Sequence, residues 1–217
     1  MKKIILWLVC LLLALNVSAA NNMHKIEKIK QFYGERAGKR AIAWHDLIQK
    51  SQHLTDLQKL KAVNDFFNQF IFISDQKLWG KEDYWATPYE FIGAGAGDCE
   101  DFSIAKYKTL LKLGINDNKL RLVYVKALEL NQFHMVVTYY PTPSAIPLVL
   151  DNLKGEILPA SQRKDLLPIY SFNGSKLWLM KQKGQGQIAG NASRLSLWND
   201  LRHRSQHIKL NRPLYTF

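Results

Sequence analysis

The chain has 217 residues and a formal net charge of +12 at pH 7, and its two cysteines are Cys10 and Cys99. This length is enough for one domain with a sizeable hydrophobic core. Beyond the amino terminus, no stretch reaches the about 20 apolar residues that span a bilayer. The basic residues are scattered, without an arginine stripe or an aromatic RNA-binding signature, so the composition disfavours a nucleic-acid-binding protein.

Residues 1–20 have the layout of a secretory signal peptide. The basic segment MKK precedes an unbroken apolar run over residues 4–15, and the small residues of NVSAA follow. Such a run is too short to cross a bilayer comfortably. We therefore predict cleavage after Ala19 or Ala20, which leaves a single domain over residues 21–217 that does not itself span a membrane.

Cleavage of this signal peptide leaves Cys99 as the single cysteine, so no internal disulfide is expected. An unpaired cysteine in an exported protein is either a buried apolar residue or a reactive thiol. The residue type alone does not decide between these two roles, and the sequence around Cys99 has to do so.

The first half of the predicted domain is helical in character. Residues 24–74 have the apolar spacing of amphipathic helices, and Thr55 is a suitable N-cap for one of them. The apolar stripe of that helix is Leu57, Leu60, Val63, Phe67 and Phe70. Residues 75–97, which contain Gly80, Pro88 and a run of glycines, are predicted to form an irregular loop with an aromatic lining.

The segment DCEDFSIAKYKTLLKLG is predicted to form a helix from Cys99 to Leu113. Asp98 is its N-cap, and Asp101, three residues later, gives a pattern resembling a capping box. Gly114 closes the helix. The predicted buried face consists of Ile104, Tyr107 and Leu111.

After this helix the apolar pattern changes to the period of two that is typical of strands. Three segments, at 120–128, 133–140 and 146–153, are rich in β-branched and aromatic residues, and GEILPA is a further candidate strand. Residues 181–194 are polar and glycine-rich, which predicts a surface loop. The tail from Leu195 contains a candidate short helix with a solvated basic face. A helical half followed by an antiparallel sheet is an α+β layout.

The segment GAGAGDCED (93–101) fits a nucleophile better than a phosphate-binding loop. A dinucleotide fingerprint needs glycine at its sixth position, where this chain has Asp98, and a Walker loop ends in Gly-Lys-Ser/Thr, which is missing. Cys99 instead occupies the first position of a helix, where backbone N–H groups and the helix dipole favour a thiolate. The same N–H groups can donate to an oxyanion.

Two residues downstream fit the roles of a base and its orienting carboxylate. His134 lies early in one predicted strand, and Asp151 lies at the end of the next. Taken alone, His134 is more typical of a half-buried structural histidine, and Asp151 is more typical of a turn. Together with Cys99, and in this order, they favour a triad in which His134 takes the thiol proton and Asp151 orients the imidazole. The indole N–H of Trp85 is a candidate second oxyanion donor.

Asp98, Glu100 and Asp101 surround the candidate nucleophile with negative charge. Left uncompensated, these carboxylates raise the pKa of a thiol and oppose thiolate formation. A hard divalent cation such as calcium neutralises them, with Asp83 or carbonyl groups of EDYW completing its coordination. The alternative is a capping box plus one exposed acid, and these residues alone do not decide between the two.

Several segments closely resemble the bacterial transglutaminase-like cysteine proteinases, in particular their periplasmic members. They are DYWATPYEFIGAGAGDCEDFSIAKY, LVYVKA, HMVV, LVLDNL and YSFNGSKLW, and the likeness runs from about Trp79 to Trp178. The resemblance implies a papain/transglutaminase-like α+β fold, with the nucleophile at a helix N-terminus packed on an antiparallel sheet. It also implies a Cys99–His134–Asp151 triad and favours Ca²⁺ as the cofactor. The calcium ligands are then Asp98, Glu100 and Asp101.

The resemblance further implies a calcium-dependent endopeptidase of the periplasm. Its expected substrate is a large surface adhesin, cut in its N-terminal region near a pair of alanines, which releases cells from a biofilm. Its expected inhibitory partner is an inner-membrane receptor for cyclic di-GMP. Three alternatives remain: acyl transfer to an amine by the same triad, a non-catalytic periplasmic binding module, and a basic nucleic-acid-binding protein.

Overall fold

The structure is a computed structural model that describes residues 22–179 and 187–217. The predicted signal peptide, residues 1–20, lies outside the described residues, as does the first part of the predicted surface loop, 181–186. The domain boundary at residue 21 therefore stays a prediction. In the part of the chain that the structure describes, no helix is both long enough and apolar enough to cross a bilayer.

The first half of the described chain is mainly helical, as its apolar spacing predicts. Its elements are α1 (residues 22–33), α2 (Glu35–Ser51), α3 (Asp56–Phe67), β1 (Ile71–Phe72), α4 (Asp75–Leu78), α5 (Pro88–Ala94), β2 (Ala96–Gly97) and α6 (Cys99–Lys112). The short strands β1 and β2 pair in parallel, so the chain just before α6 is fixed to the chain that follows α3.

The second half forms an antiparallel sheet, which confirms the α+β layout. Its strands are β3 (Leu120–Ala127), β4 (Gln132–Tyr139), β5 (Leu148–Leu150), β6 (Leu158–Pro159), β7 (Leu166–Phe172), β8 (Lys176–Leu179) and β9 (Gln187–Asn191). They lie in the order β6-β5-β4-β3-β7-β8-β9, with antiparallel neighbours throughout. Helix α7 (Ser196–His207) follows the last strand.

Helix α3 begins where the sequence predicts but buries a narrower stripe. The Thr55 N–H donates to Oε1 of Gln58 at 3.0 Å, which completes a capping box. The fully buried members of the stripe are Leu60, Val63 and Phe67. Leu57 is 59% exposed, so the prediction is wrong for this residue. It lies in the first turn of the helix, at a groove that it shares with Leu148.

The prediction of an irregular loop over residues 75–97 is wrong, because this segment contains α4 and α5. The start of α5 is fixed by Thr87, whose hydroxyl accepts from the Glu90 N–H at 3.2 Å, while the Thr87 N–H donates to the Glu90 carboxylate at 2.8 Å. Pro88 at the first helical position strengthens this start. The predicted aromatic lining is present, since Trp79, Tyr84 and Trp85 are all buried.

Helix α6 is buried on more sides than the sequence predicts. It packs on β3 and β4 on one side and on α3 and α5 on the other. Ile104 and Tyr107 are fully buried as predicted, whereas Leu111 is only partly buried. The additional buried polar residues are Asp101, Ser103, Lys106 and Thr109. Gly114, with φ of 84°, adopts the left-handed conformation that ends the helix.

Two predictions for the carboxy-terminal region are wrong. Residues 187–191 form strand β9 instead of a surface loop, because they pair with β8. The basic face of α7 is not fully solvated, since Arg204 is buried and forms an ion pair with Glu90. Its Nη2 also donates to the carbonyl of Trp85 at 2.6 Å. A buried carboxylate such as Glu90 requires a cation, and α7 supplies it.

Candidate functional site

Cys99 is the first residue of α6, as predicted, and Asp98 is the N-cap. Oδ2 of Asp101 accepts a hydrogen bond from the Asp98 N–H at 3.4 Å. The residue before the cap must be glycine, because a Cβ atom at Gly97 would collide with the Asp101 carboxylate. The Ile73 N–H donates to the carbonyl of Gly97 at 2.9 Å. The helix start is thus held by its own carboxylates and by the β1–β2 pair.

The Cys99 thiol is partly buried and lies next to negative charge. Its Sγ donates to Oε2 of Glu100 at 2.8 Å. Burial raises the pKa of the thiol well above its usual value, and the charges of Glu100 and Asp98 raise it further. The Met135 N–H, which points at the sulfur, acts in the opposite direction. These neighbours therefore favour the protonated thiol over the thiolate.

His134 and Asp151 form the buried pair that the sequence predicts. The imidazole Nε2 lies 2.7 Å from Oδ1 of Asp151, and the two residues are 4% and 1% exposed. The Leu153 N–H also donates to Oδ1, at 3.0 Å. Burial acts to raise the pKa of Asp151, but the bonds and charge of His134, with the other donors, outweigh it and lower the pKa to about 2. Asp151 is thus an ionised acceptor at neutral pH.

Cys99 lies beside the β4 residue that follows His134. The Met135 N–H faces the sulfur, and Ser103, one turn further along α6, donates to the Met135 carbonyl at 2.8 Å. Within the described residues, the thiol hydrogen bond goes to Glu100, and none joins the sulfur to His134. The structure therefore pairs His134 with Asp151 and brings Cys99 to the adjoining backbone.

A second group of carboxylates lies next to the start of α6. Ligand atoms of Asp75, Asp98 and Asp101 all lie within 4.8 Å of one another, and those of Asp98, Cys99 and Glu100 form a second such set. We call Asp75, Asp98, Glu100 and Asp101 the acidic cluster. Sequence reasoning missed Asp75, because it begins α4, far from the motif along the chain. The three predicted metal ligands all belong to the cluster.

The acidic cluster lacks hydrogen-bond donors for some of its buried oxygens. Oδ2 of Asp75 accepts from the Tyr84 N–H and Oδ1 of Asp101 accepts from the Ala86 N–H, both at 2.6 Å. Oδ1 of Asp75 and Oδ1 of Asp98 are buried without a partner. Buried oxygens in this state are costly unless a proton or a cation satisfies them.

The same deficit is visible in the pKa values of the cluster. Burial, together with neighbouring charges, raises the pKa of Asp98 to about 11 and that of Asp75 to about 7. Burial also raises the pKa of Asp101 well above its usual value. Carboxylate oxygens are the preferred ligands of hard divalent cations, so the acidic cluster fits such an ion.

Asp83 and Trp85 line a cleft of about 230 Å³ together with Glu100. The cleft is also lined by Tyr124 and Tyr170. Asp83 is not one of the residues whose ligand atoms converge in the acidic cluster. The indole Nε1 of Trp85 is buried without a hydrogen bond of normal geometry, and it lies close enough to Asp83 to oppose the raised pKa of that carboxyl. This donor is thus available beside the cleft.

Comparison with known proteins gives a family and similar structures. Residues 31–182 match the profile of the bacterial transglutaminase-like cysteine proteinases, BTLCP. The chain is 44% identical to LapG of Legionella pneumophila in its EGTA-treated form, covering 83% of this chain and 96% of that chain with a TM-score of 0.75. For the calcium-bound form of LapG the identity is 44%, the coverage 84% and 98%, and the TM-score 0.73. None of the curated proteins matches.

These similarities extend over most of the chain, and they include both the α6 start and the sheet that carries His134 and Asp151. They confirm the transglutaminase-like α+β fold that the sequence resemblance implies. The chain belongs to the bacterial transglutaminase-like cysteine proteinase family and is a cysteine peptidase.

Proposed function

We propose that this chain is a calcium-dependent cysteine endopeptidase of the periplasm, to which the predicted signal peptide directs it. The main support is the buried His134–Asp151 pair, which lies on the sheet against which the start of α6 packs. That helix start carries Cys99, the only cysteine in the predicted mature domain. A nucleophile, a base and an orienting carboxylate are the requirements for hydrolysis through a thioester.

In the proposed reaction, the Cys99 thiol gives its proton to Nδ1 of His134, the ring nitrogen that Asp151 does not engage. The sulfur attacks the peptide carbonyl carbon and forms a C–S bond, while the Cys99 N–H donates to the oxyanion. His134 then protonates the leaving amine as the C–N bond breaks, and water hydrolyses the thioester. Trp85 is our candidate for the second oxyanion donor.

The acidic cluster supplies the proposed calcium ligands, Asp75, Asp98, Glu100 and Asp101. Its buried oxygens without donors and its raised pKa values support this assignment. The calcium-bound structure of the similar LapG supports it as well. These four residues would hold the ion, whose positive charge would offset the carboxylates that raise the pKa of Cys99, including Glu100, which accepts the thiol hydrogen bond.

The proposed substrate is a large cell-surface adhesin, cut in its N-terminal region near a pair of alanines so that cells detach from a biofilm. The proposed regulator is an inner-membrane receptor that binds cyclic di-GMP and sequesters the protease on its periplasmic side. Both proposals rest on the resemblance of the sequence to the periplasmic members of the family.

An adhesin N-terminal fragment that contains an Ala-Ala pair tests this function. We expect the protein to cut the fragment once in the presence of calcium, and to leave it intact in EGTA or when Cys99→Ala replaces the wild type. Cleavage by Cys99→Ala would contradict the proposed mechanism. Incorporation of an added amine without cleavage would identify a transglutaminase instead.

A further inference from the structure

A buried arginine lies directly behind the His134–Asp151 pair. Arg163 follows β6 and a single 3₁₀ turn, Ala160–Gln162, and it is 3% exposed. Its Nη2 donates to Oδ2 of Asp151 at 2.6 Å. Oδ1 of Asp151 is the oxygen that faces His134, so the two carboxylate oxygens have separate partners on opposite sides.

Arg163 is itself held by a second carboxylate. Its Nε lies 3.0 Å and its Nη2 lies 2.9 Å from oxygens of Asp165, which gives the planar guanidinium a forked contact. Nζ of Lys154 lies 3.1 Å from the same Asp165 carboxylate. The contact with Asp165 therefore orients the Arg163 guanidinium towards Asp151, so this orientation does not depend on Asp151 alone.

This geometry constrains how the Asp151 carboxylate can rotate. A carboxylate with a donor only at Oδ1 can turn about its terminal torsion, which is broad for aspartate. The bond from Arg163 to Oδ2 fixes the second oxygen and thereby aims Oδ1 at Nε2 of His134. Lys106 is the other buried cation near Asp151, but within the described residues it makes no hydrogen bond to that carboxylate.

We propose that Arg163 is a positioning residue of the active site: through Asp151 it fixes the orientation and tautomer of His134, which leaves Nδ1 free to take the Cys99 proton. This inference rests on the proposed catalytic roles of Cys99, His134 and Asp151. It assigns Arg163 a function beyond balancing the charges of Asp151 and Asp165.

The reaction of Cys99 with iodoacetamide tests this inference without a substrate, because it reports how readily the thiol is deprotonated. The rate is read by mass spectrometry of the peptide that carries Cys99, in one buffer with saturating calcium for all variants. We expect Arg163→Met to slow the reaction about 10–100-fold, which is the usual loss when a residue that orients a functional side chain from behind is removed. Arg163→Lys keeps the charge but not the fork and should recover part of the rate. Arg36→Met, the same substitution at an exposed arginine, should leave it unchanged.

A double-mutant cycle separates a positioning role from a structural one. If Arg163 acts through Asp151, then Arg163→Met should slow alkylation less than about threefold in the Asp151→Asn background. The inference would be overturned if Arg163→Met slowed alkylation equally in the wild-type and Asp151→Asn backgrounds, or if it did not slow alkylation in the wild-type background. Thermal unfolding of each variant shows whether it is folded, and Arg163→Lys replaces Arg163→Met in the cycle if the latter is not.

The outcome is distinguishable from a failure of the proposed function. If Arg163 and Asp151 do not couple while Cys99-dependent cleavage of the adhesin fragment persists, only the role of Arg163 falls. If they couple but no fragment is cleaved, the positioning role stands and the proposed substrate falls.

Discussion

Two groups of charged residues lie next to α6, the Asp151 group and the acidic cluster, and their buried carboxylates are stabilised in different ways. Asp151 has donors at both oxygens, from His134 and Leu153 at one and Arg163 at the other, and its pKa is lowered to about 2. In the acidic cluster, Asp75 and Asp98 each have a buried oxygen without a donor, and their pKa values are raised. Protein donors satisfy both oxygens of Asp151, whereas the acidic cluster requires a proton or a cation as well.

This difference indicates a division of labour. We expect the Asp151 group to hold its geometry whether or not an ion is present, because protein donors satisfy both of its oxygens. The acidic cluster depends on a proton or a cation, and it shares Glu100 with the Cys99 thiol. Control by calcium is therefore expected to act on the sulfur, while the base remains in place.

The largest expected effect comes from a substitution in the Asp151 group. Asp151→Asn should reduce the rate of cleavage by about 10³–10⁴, because the amide can stabilise the wrong imidazole tautomer. The fold should persist, since Asn retains the shape of Asp. The measurement is kcat on the adhesin fragment, with circular dichroism as the control for folding. A loss below about tenfold would show that Asp151 does not orient the base.

The next effect concerns the membership of the acidic cluster. Asp75→Asn should weaken calcium binding at least about tenfold, because it removes a charged oxygen that points into the cluster. Asp83→Asn is the matched control, since Asp83 lines the neighbouring cleft instead. Titration calorimetry measures both variants. A greater loss for Asp83→Asn than for Asp75→Asn would reverse the assignment.

The smallest effect is a pH dependence with opposite signs in the two groups. Burial raises the pKa of Asp75 to about 7, so between about pH 4 and 7 the folded state retains a proton that the unfolded state releases. Stability from Asp75 therefore falls as the pH rises. The pKa of Asp151 is lowered to about 2, so its contribution is present above about pH 4 and is lost only as the pH falls below that.

Thermal unfolding in EGTA checks these signs. The midpoint should decrease from pH 5 to pH 7.5 in the wild type, and this decrease should be smaller in Asp75→Asn, which has no such group to titrate. Saturating calcium should also reduce the decrease, because it binds the ionised cluster. A midpoint that rises over this range in EGTA would show that the acidic cluster is already balanced by the protein.

The parts of the site that sequence predicts are those encoded locally. Asp98 and Cys99 stand at a helix start marked by glycines and carboxylates, His134 lies in β4, and Asp151 directly follows β5. The resemblance to a family adds their order. Short-range patterns also predict most helices and the strands β3 to β6, because cap residues and apolar periods act over a few residues, but they do not predict β7, β8 or β9. Thr87 and Glu90 form a capping box, which is also a local pattern, but Pro88 and the nearby glycines are more typical of a loop.

The parts that sequence does not predict depend on burial at long range. Asp75 joins the acidic cluster from α4, and Arg163 reaches Asp151 from the loop after β6. Arg204 pairs with Glu90, from which it is separated by 114 positions in the sequence. No local pattern distinguishes these residues from solvated charges. Leu57 shows the reverse error, since its spacing predicts burial but its place in the first turn of α3 leaves it exposed.

The most direct test of the central claim is the alkylation rate of Cys99 as a function of free calcium. If the acidic cluster binds calcium and thereby frees the thiol, the rate should rise with calcium. It should saturate at the concentration that saturates binding in calorimetry, and Asp75→Asn should shift both curves together. An alkylation rate that is the same in calcium and in EGTA would contradict this account.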